Sequence, residues 1–250
     1  MKRYGPATYG DAFADVYDDW YADLGDADVV IRRVVELADG GPVLELGCGT
    51  GRLALPIADA GPDVVAIDAS EAMLERLRAK PASRALDIRL ADMATFDVLD
   101  RAPFGLVLCA FNTFFNLPTV ELQEQCLYRI AGHLRRGGRF VIECVEPGDE
   151  PDAPRSAVEP SRIDDDRVVL SVSRQDPTTQ TITGQHVEIS EAGIRLRPWR
   201  VRYCRTTELD AMAARAGLEL EHRAAGWADE PFDESTSTVH VSTYRRTGGP

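Results

Sequence analysis

The chain has 250 residues and a formal net charge of −13, from 41 acidic and 28 basic side chains. A chain of this length can bury a full core as one domain, with or without an inserted lobe, so neither a disulfide framework nor a structural metal is needed. The acidic excess disfavours nucleic acid and anionic membranes as partners, and no apolar run approaches the ~20 residues that cross a bilayer. We therefore expect a soluble cytoplasmic protein with no metal site, nucleic-acid partner or membrane attachment.

The first predicted elements are two amphipathic helices. Within residues 8–24, the aromatic residues Phe13, Tyr17, Trp20 and Tyr21 recur at helical spacing. Residues 28–38 show the same period with aliphatic side chains. Both patterns predict helices with one apolar face against the core.

Strands and helices alternate over the next hundred residues. The predicted strands are the short apolar runs 43–46, 64–68, 88–91, 104–110 and 139–145. The predicted helices end near residue 60, cover 71–79 behind an N-cap at Ser70, and cover 119–134. Strands that alternate with helices predict a parallel, doubly wound sheet.

The pattern changes after Pro147. The proline-rich segment 147–161 predicts a loop, and the period-two alternation from residue 167 to 202 predicts an antiparallel hairpin or three-stranded lobe. A helix capped by Thr206 or Thr207 and two closing strands, 218–224 and 239–244, follow. Within this lobe, a cluster of arginines predicts a solvated face or a set of internal ion pairs: Arg195, Arg197, Arg200, Arg202 and Arg205.

These elements predict an α/β protein with a Rossmann-like, doubly wound, mostly parallel seven-stranded sheet. The core would comprise residues 1–147 and 206–250. Residues 148–205 would form a small antiparallel β insertion, a lid, after the fifth strand. We expect the chain to form a homodimer through this insertion.

A glycine loop, Gly47-Cys48-Gly49-Thr50-Gly51, joins the first strand of the core to a helix. Glycines let the backbone approach a ligand closely, and a helix N-terminus offers free N–H groups to an anion. Asp68 ends the next strand, where a carboxylate can bind both ribose hydroxyls. The spacing GxGxG and the preceding Glu45 weigh against an NAD site, which favours GxGxxG. An NAD-type oxidoreductase with a Rossmann fold stays open as an alternative.

Four segments resemble the motifs of class I S-adenosylmethionine (SAM)-dependent methyltransferases. LELGCGTG (44–51) is similar to their first motif, VVAIDAS (64–70) to the second, ADMATF (91–96) to the third, and LRRGGRFVIE (134–143) to the approach to the fifth strand. The resemblance covers about residues 43–145. It implies that SAM is the cofactor and S-adenosylhomocysteine the product, with Asp68 on the ribose, Asp92 on the adenine amino group and Met93 beside the ring.

The segment from Tyr9 to Asp18 resembles the small-molecule branch of this family, in which an N-terminal helix covers the cofactor. An electron-rich ring beside a sulfonium cation is favourable. The cofactor-binding residues implied by the resemblance, together with the pattern above, are Tyr9, Tyr17, Glu45, Gly47, Cys48, Gly49, Gly51, Arg52, Asp68, Ala69, Met73, Asp92, Met93, Ala110 and Phe111.

The β insertion resembles the lid of bacterial sugar-amine N,N-dimethyltransferases. Those enzymes carry an active-site histidine where this chain has Asn116, so the base and the amino-sugar substrate do not carry over. Asn116 and His186 are the candidate catalytic residues. The candidate substrate contacts are Asn112, Phe115, Asn116, His186 and Trp199.

The function implied is transfer of a methyl group from SAM to a nitrogen or oxygen of a small molecule, in bacterial secondary metabolism. No motif of a hydrolase or kinase is present. A non-catalytic SAM-binding protein stays open as a second alternative.

Overall fold

The structure, a computed structural model, describes residues 4–22, 27–148 and 153–248. The helices in these ranges are α1 (Thr8–Phe13), α2 (Tyr17–Trp20), α3 (Ala27–Ala38), α4 (Ala54–Asp59), α5 (Glu71–Arg78), α6 (Val120–His133) and α7 (Thr206–Arg215), with a 3₁₀ turn at Thr113–Asn116. The strands are β1 (Val43–Leu46), β2 (Val64–Asp68), β3 (Asp87–Leu90), β4 (Phe104–Cys109), β5 (Leu134–Val145), β6 (Arg155–Ile163), β7 (Arg167–Asp176), β8 (Thr181–Ser190), β9 (Gly193–Arg202), β10 (Leu218–Ala224) and β11 (Val239–Arg246).

The larger sheet has seven strands in the order β10-β11-β5-β4-β1-β2-β3. Strand β11 pairs antiparallel with both of its neighbours, and the other pairings are parallel. The predicted seven-stranded, mostly parallel sheet is therefore confirmed. The strand order reverses beside β1, and open α/β sheets bind their ligands at such a reversal.

The central strands are apolar because both faces of the larger sheet are covered. Leu44 and Val107 face a core that includes α6 and α7, whereas Val43 and Leu106 face a core that includes α3, α4 and α5. Continuous burial along β1 and β4 follows from this arrangement. The five cysteines are buried free thiols.

One of the two predicted helix caps is present: the side chain of Ser70 accepts a hydrogen bond from Met73 N at the start of α5. Thr119, for which no cap was predicted, does the same for Leu122 N at α6. The cap predicted for α7 is wrong. The helix begins at Thr206 itself, behind Arg205 and without a side-chain cap, and Thr206 is buried.

The smaller sheet has four antiparallel strands in the order β6-β7-β8-β9. This confirms an antiparallel insertion after the fifth strand, but two details of the prediction are wrong. The segment 147–161, predicted as a loop, contains the start of β6, so the lobe has four strands rather than three. Pro160 fits because β6 is an edge strand and its pairing shifts between Pro160 and Arg162, where a missing N–H costs little.

Within the described residues, no helix combines the length and apolar composition needed to cross a bilayer. Those residues also hold no group of three or more His, Cys, Asp or Glu arranged to bind a metal ion.

Candidate functional site

A cavity of about 280 Å³ opens at the carboxyl ends of β1, β2, β3 and β4. The fold brings ten of the predicted site residues to its wall: Tyr9, Tyr17, Gly47, Gly49, Asp68, Ala69, Met73, Asp92, Met93 and Asn116. Sequence reasoning missed further lining residues, among them Tyr4, Pro6, Thr113, Leu117, Pro118 and Leu122. They reach the cavity through tertiary packing and carry no local motif.

The glycine loop, residues 47–51, forms one side of the cavity. We call this loop and Asp68 together the floor of the cavity. Gly47 and Gly49 have φ values of +64° and +54°, in the left-handed region that favours glycine. A Cβ on Gly47 would lie 2.3 Å from the side chain of Thr113. The floor therefore depends on glycine both for its conformation and for its close approach to the next loop.

Asp68 is held by backbone donors on both sides. Gly49 N donates to Oδ2 at 2.9 Å, and Ser70 N donates to Oδ1 at 2.8 Å. Burial raises the pKa of the Asp68 carboxyl, and these donors oppose the rise. Asp92, at the next strand end, accepts a hydrogen bond from Ala94 N at 2.9 Å. Two carboxylates with fixed orientation at adjacent strand ends suit a ribose and an adenine amino group.

Glu45 and Arg52 lie near the floor but outside the cavity wall. Glu45 is buried, and its Oε2 has no hydrogen-bond partner within the described residues. Burial raises its pKa to about 8, although the charge of Arg52 opposes the rise. The Arg52 guanidinium lies 5.8 Å from the ring centroid of Phe111. A buried, unpaired carboxyl oxygen beside the glycine loop fits a cationic group such as the ammonium of a bound methionyl moiety.

The remaining predicted cofactor residues support the floor from behind. Cys48 is buried, and its backbone N–H bonds to Ile67 O. A Cβ on Gly51 would lie 2.2 Å from Leu77, so this glycine lets the loop pack on α5. Ala110 is buried at the end of β4.

Helices α1 and α2 lie over the cavity, and we call them the cover. Tyr9 and Tyr17 project from it to the cavity wall. Burial raises the pKa of both hydroxyls, so both rings are neutral at physiological pH. The Tyr9 hydroxyl lies 3.3 Å from that of Tyr21. Neutral, electron-rich rings at this position suit a sulfonium cation.

A buried arginine of the smaller sheet holds the cover in place. Arg197 is only 1% exposed, and its Nη1 bonds to Asp15 Oδ1 at 2.6 Å and to Ala12 O at 2.5 Å. Its Nη2 bonds to Glu188 Oε2 at 2.8 Å. The guanidinium also lies 5.3 Å from the ring centroid of Trp20. The predicted internal ion pairs are present at this arginine.

His186 and Trp199 do not reach the cavity wall. The His186 ring packs 5.5 Å from Phe13 and 5.7 Å from Trp20, on the side of the cover that faces the smaller sheet. Trp199 packs 6.2 Å from His186 in the same aromatic layer. Burial and the charge of Arg197 lower the pKa of His186. Their placement gives both residues a packing role and no contact with the cavity.

The segment 110–117 divides into supporting residues and one cavity residue. Phe111 and Asn112 both have positive φ, and Asn112 Oδ1 accepts a hydrogen bond from Val145 N at 2.7 Å. Phe115 is buried in the core. Of the residues predicted to contact the substrate, only Asn116 lines the cavity. Its Nδ2 donates a hydrogen bond to Thr113 O.

Glu143 is a residue of this region that the sequence reasoning missed. Its Oε2 accepts the backbone N–H of Phe111 at 2.9 Å and so fixes the left-handed turn after β4. Its position in the segment 134–143 gave no indication of this role, because the contact crosses from β5 to the loop after β4.

Comparison with known proteins agrees with a cavity that binds SAM. The family model described as a methyltransferase domain matches residues 43–138. Cypemycin N-terminal methyltransferase from a Streptomyces species is 32% identical over 211 residues, which cover 83% of this chain and 84% of that protein.

Solved structures with the same fold include the CcbJ methyltransferase from Streptomyces caelestis. It is 40% identical, has a TM-score of 0.90, and the match covers 98% of this chain and 100% of CcbJ. SAM-bound CalS10, an amino pentose methyltransferase from Micromonospora echinaspora, is 25% identical with a TM-score of 0.67, over 93% of this chain and 97% of that one. These relatives favour SAM over NAD as the cofactor, and the chain belongs to the class I SAM-dependent methyltransferases.

Proposed function

We propose that this methyltransferase transfers the methyl group of SAM to an amine nitrogen of a small molecule made in bacterial secondary metabolism. The observation that carries the proposal is the set of ionisable side chains that line the cavity. Its ionisable side chains, among the described residues, are three tyrosines and two aspartates: Tyr4, Tyr9, Tyr17, Asp68 and Asp92.

None of these groups is suited to remove the proton of an alcohol. Burial raises the pKa of all three tyrosines, so none is present as a phenolate at neutral pH. The two aspartates accept backbone hydrogen bonds in the half of the cavity assigned to the cofactor. A hydroxyl of high pKa needs a nearby base, whereas a neutral amine supplies its own lone pair. The wall therefore favours an amine acceptor.

Bound SAM supplies a methyl group that its positive sulfur has already activated. The task of the chain is to orient the reactants and to exclude water. Asp68, Asp92 and the glycine loop would hold the cofactor, and the cover would exclude water from above. Asn116 Nδ2 is bonded to Thr113 O, which leaves Oδ1 to accept a hydrogen bond from an amine N–H.

The names of similar proteins also support an amine acceptor. They describe an N-terminal methyltransferase, an amino pentose methyltransferase and, at 25% identity, a sugar N-methyltransferase. Two of these names place the methyl group at an N-terminus or on nitrogen, and the third names an amino pentose, so all three support a nitrogen nucleophile.

The test uses pairs of acceptors that differ only at the nucleophile. The purified enzyme is incubated with SAM and an amino sugar or its parent sugar, and with a short peptide or its N-acetylated form. Mass spectrometry follows S-adenosylhomocysteine and the methylated product. We expect turnover only with free amines, at a rate that rises as the amine loses its proton. Methylation of the hydroxyl analogues without the amines would overturn the proposal, and SAM binding with no turnover on any acceptor would favour a non-catalytic SAM-binding protein.

A further inference from the structure

One side of the cavity is formed by elements that do not belong to the floor. Tyr4, from the segment before α1, and Leu122, from the start of α6, line it. Strand β9 borders both: Arg200 N donates to the Tyr4 hydroxyl at 3.1 Å, and Arg202 O accepts from Gln123 Nε2 at 2.9 Å. The carboxylates assigned to the cofactor lie at or just after the ends of β2 and β3, so we call this side the acceptor side.

Arg200 differs from the other members of the arginine cluster predicted in the smaller sheet. Arg195, Arg197 and Arg202 each pair with a carboxylate at 2.6 Å, and Arg205 lies 3.9 Å from one. Arg200 forms no ion pair within the described residues. Its side chain is half-buried, and its Nε is buried without a hydrogen-bond partner. A cation withdrawn from water without a partner is costly, so this position suits an anion that arrives with a ligand.

The alternation of β9 directs the Arg200 side chain to the acceptor side. Trp199 packs in the aromatic layer beneath the cover, so Arg200 and Arg202 share the opposite face of the strand. Arg202 reaches Gln123 Oε1 of α6 at 2.6 Å, which shows where this face points. Burial raises the pKa of the Tyr4 hydroxyl, and the backbone N–H and the charge of Arg200 oppose the rise. The guanidinium therefore lies close enough to act on the Tyr4 hydroxyl.

The Tyr4 hydroxyl is itself a donor at the cavity wall. Its oxygen accepts from Arg200 N, and its raised pKa keeps the proton in place, so the O–H can donate to a bound molecule. A neutral O–H beside a guanidinium suits an anionic oxygen, and the planar guanidinium matches a carboxylate. One positive charge balances a carboxylate but not a phosphate dianion, since Arg202, two residues on, is already paired with Glu208.

We propose that the acceptor amine carries a carboxylate, and that Tyr4 and Arg200 bind this carboxylate during methyl transfer. The acceptor is then an amino acid or a short peptide with both ends free. This inference rests on the proposed amine acceptor and adds a second group to it. A carboxylate held on the acceptor side fixes the orientation of the nitrogen toward the methyl group of SAM. Because the carboxylate does not react, its binding lowers KM more than it raises kcat.

The test pairs each acceptor acid with its amide. The purified enzyme is incubated with SAM and with amino acids, dipeptides or tripeptides, as free acids and as C-terminal amides, and S-adenosylhomocysteine is measured. We expect the wild type to prefer the acids by about 10- to 100-fold in kcat/KM, mainly through KM. Arg200→Met should reduce the preference to less than about threefold, and Tyr4→Phe should lower it by about three- to tenfold.

Arg174→Met is the matched control. Arg174 is exposed on β7 and does not line the cavity, and its replacement removes the same single positive charge. Any general effect of the net charge of −13 therefore appears in both arginine variants, whereas the preference for acids should be lost only in Arg200→Met.

A wild type that methylates acids and amides equally would overturn the carboxylate site and leave amine methylation standing. The same preference in Arg200→Met and the wild type would also overturn the site. If Arg200→Met lacks a native circular dichroism spectrum, Tyr4→Phe decides, and an unchanged preference contradicts the proposal.

If no free amine is methylated, the proposed function fails and binding alone tests the carboxylate site. N-acetylated peptide acids and amides are then titrated into the enzyme saturated with S-adenosylhomocysteine. Tighter binding of the acids by the wild type and by Arg174→Met, but not by Arg200→Met, would support the site. Equal binding of acids and amides by the wild type would overturn it.

Discussion

The floor and the cover of the cavity differ in how far along the chain their contacts reach. In the floor, Gly49 and Asp68 are 19 residues apart and are joined by a backbone hydrogen bond. In the cover, Asp15 and Arg197 are 182 residues apart and are joined by charged side chains. The floor forms together with the strands and helices of the core. We expect the cover contacts to be removable while the core stays folded, so the two regions can be tested separately.

The comparison predicts that defects in the floor abolish cofactor binding, whereas defects in the cover weaken it. Floor residues orient the polar groups that would hold SAM. Cover residues exclude water and place neutral aromatic rings. The predictions below start with the floor, where the largest effect is expected.

Replacing Asp68 with alanine should produce the largest loss. The change removes the carboxylate that accepts hydrogen bonds from Gly49 and Ser70. It also removes the acceptor expected for the ribose hydroxyls of SAM, and each hydrogen bond to a charged group contributes about 1.5–3 kcal/mol. We therefore expect the affinity for SAM to fall about 100-fold or more in isothermal titration.

The control is Asp100→Ala, which removes a carboxylate from an exposed ion pair with Arg89, and neither residue lines the cavity. This variant should bind SAM as the wild type does, because exposed ion pairs contribute little. Equal affinities for Asp68→Ala and the wild type would contradict the assignment of the floor to the cofactor.

Replacing Arg197 with methionine should loosen the cover without unfolding the core. The change removes the bonds to Asp15, Ala12 and Glu188 while keeping an apolar side chain of similar length. Breaking a buried ion pair costs several kcal/mol, and Asp15 is 34% exposed, which reduces the loss to about 2–3 kcal/mol. Urea unfolding measures the stability, and isothermal titration should show SAM affinity about tenfold weaker.

Arg195→Met is a matched control for this prediction. Arg195 pairs with the same Asp15, at 2.6 Å, but is 55% exposed. Its loss should cost less than about 0.5 kcal/mol, as for other exposed pairs. Equal losses for the two variants would show that burial of Arg197 does not control the cover.

The difference between floor and cover also explains which parts the sequence predicted. The glycine spacing, Asp68 and Asp92 lie at strand ends, so the alternation of elements places them together. Arg195 and Arg197 are both charged residues of the same predicted lobe, and no local signal shows that one is 55% exposed and the other 1%. His186 was assigned to the substrate because it lies in the lobe, but the strand register turns it toward Phe13. Contacts that depend on long-range packing were the ones missed.

A pair of glycine substitutions separates backbone strain from close approach in the floor. Gly47 and Gly40 have φ values of +64° and +71°, but only a Cβ on Gly47 would meet another side chain, Thr113 at 2.3 Å. Both alanine variants should lose about 1 kcal/mol from the left-handed conformation. Gly47→Ala should lose about 1–2 kcal/mol more from the steric clash and should bind SAM more weakly. Urea unfolding and titration measure both effects, and identical behaviour would show that the approach to Thr113 is not required.

The last prediction concerns a pH dependence that arises beneath the floor. Burial raises the pKa of Glu45 from 4.5 to about 8 in the folded enzyme. Its contribution to stability is therefore complete below pH 4.5 and is lost as the pH rises toward about 8. Glu45→Gln carries no titrating carboxyl, so without SAM the variant should gain stability relative to the wild type as the pH rises across that range.

Glu221→Gln provides a contrast of opposite sign. A hydrogen bond from Arg139 lowers the pKa of Glu221, so its contribution is present above the ordinary carboxyl range and is lost as the pH falls. Urea unfolding of both variants and the wild type, from about pH 3 to about pH 8, measures the two slopes, that of Glu221 below pH 4.5 and that of Glu45 above it. For Glu45→Gln, a difference from the wild type that does not change with pH would mean that Arg52 keeps Glu45 ionised. In that case the unpaired oxygen beside the glycine loop would be charged before the cofactor arrives, and the floor would attract the methionyl ammonium directly.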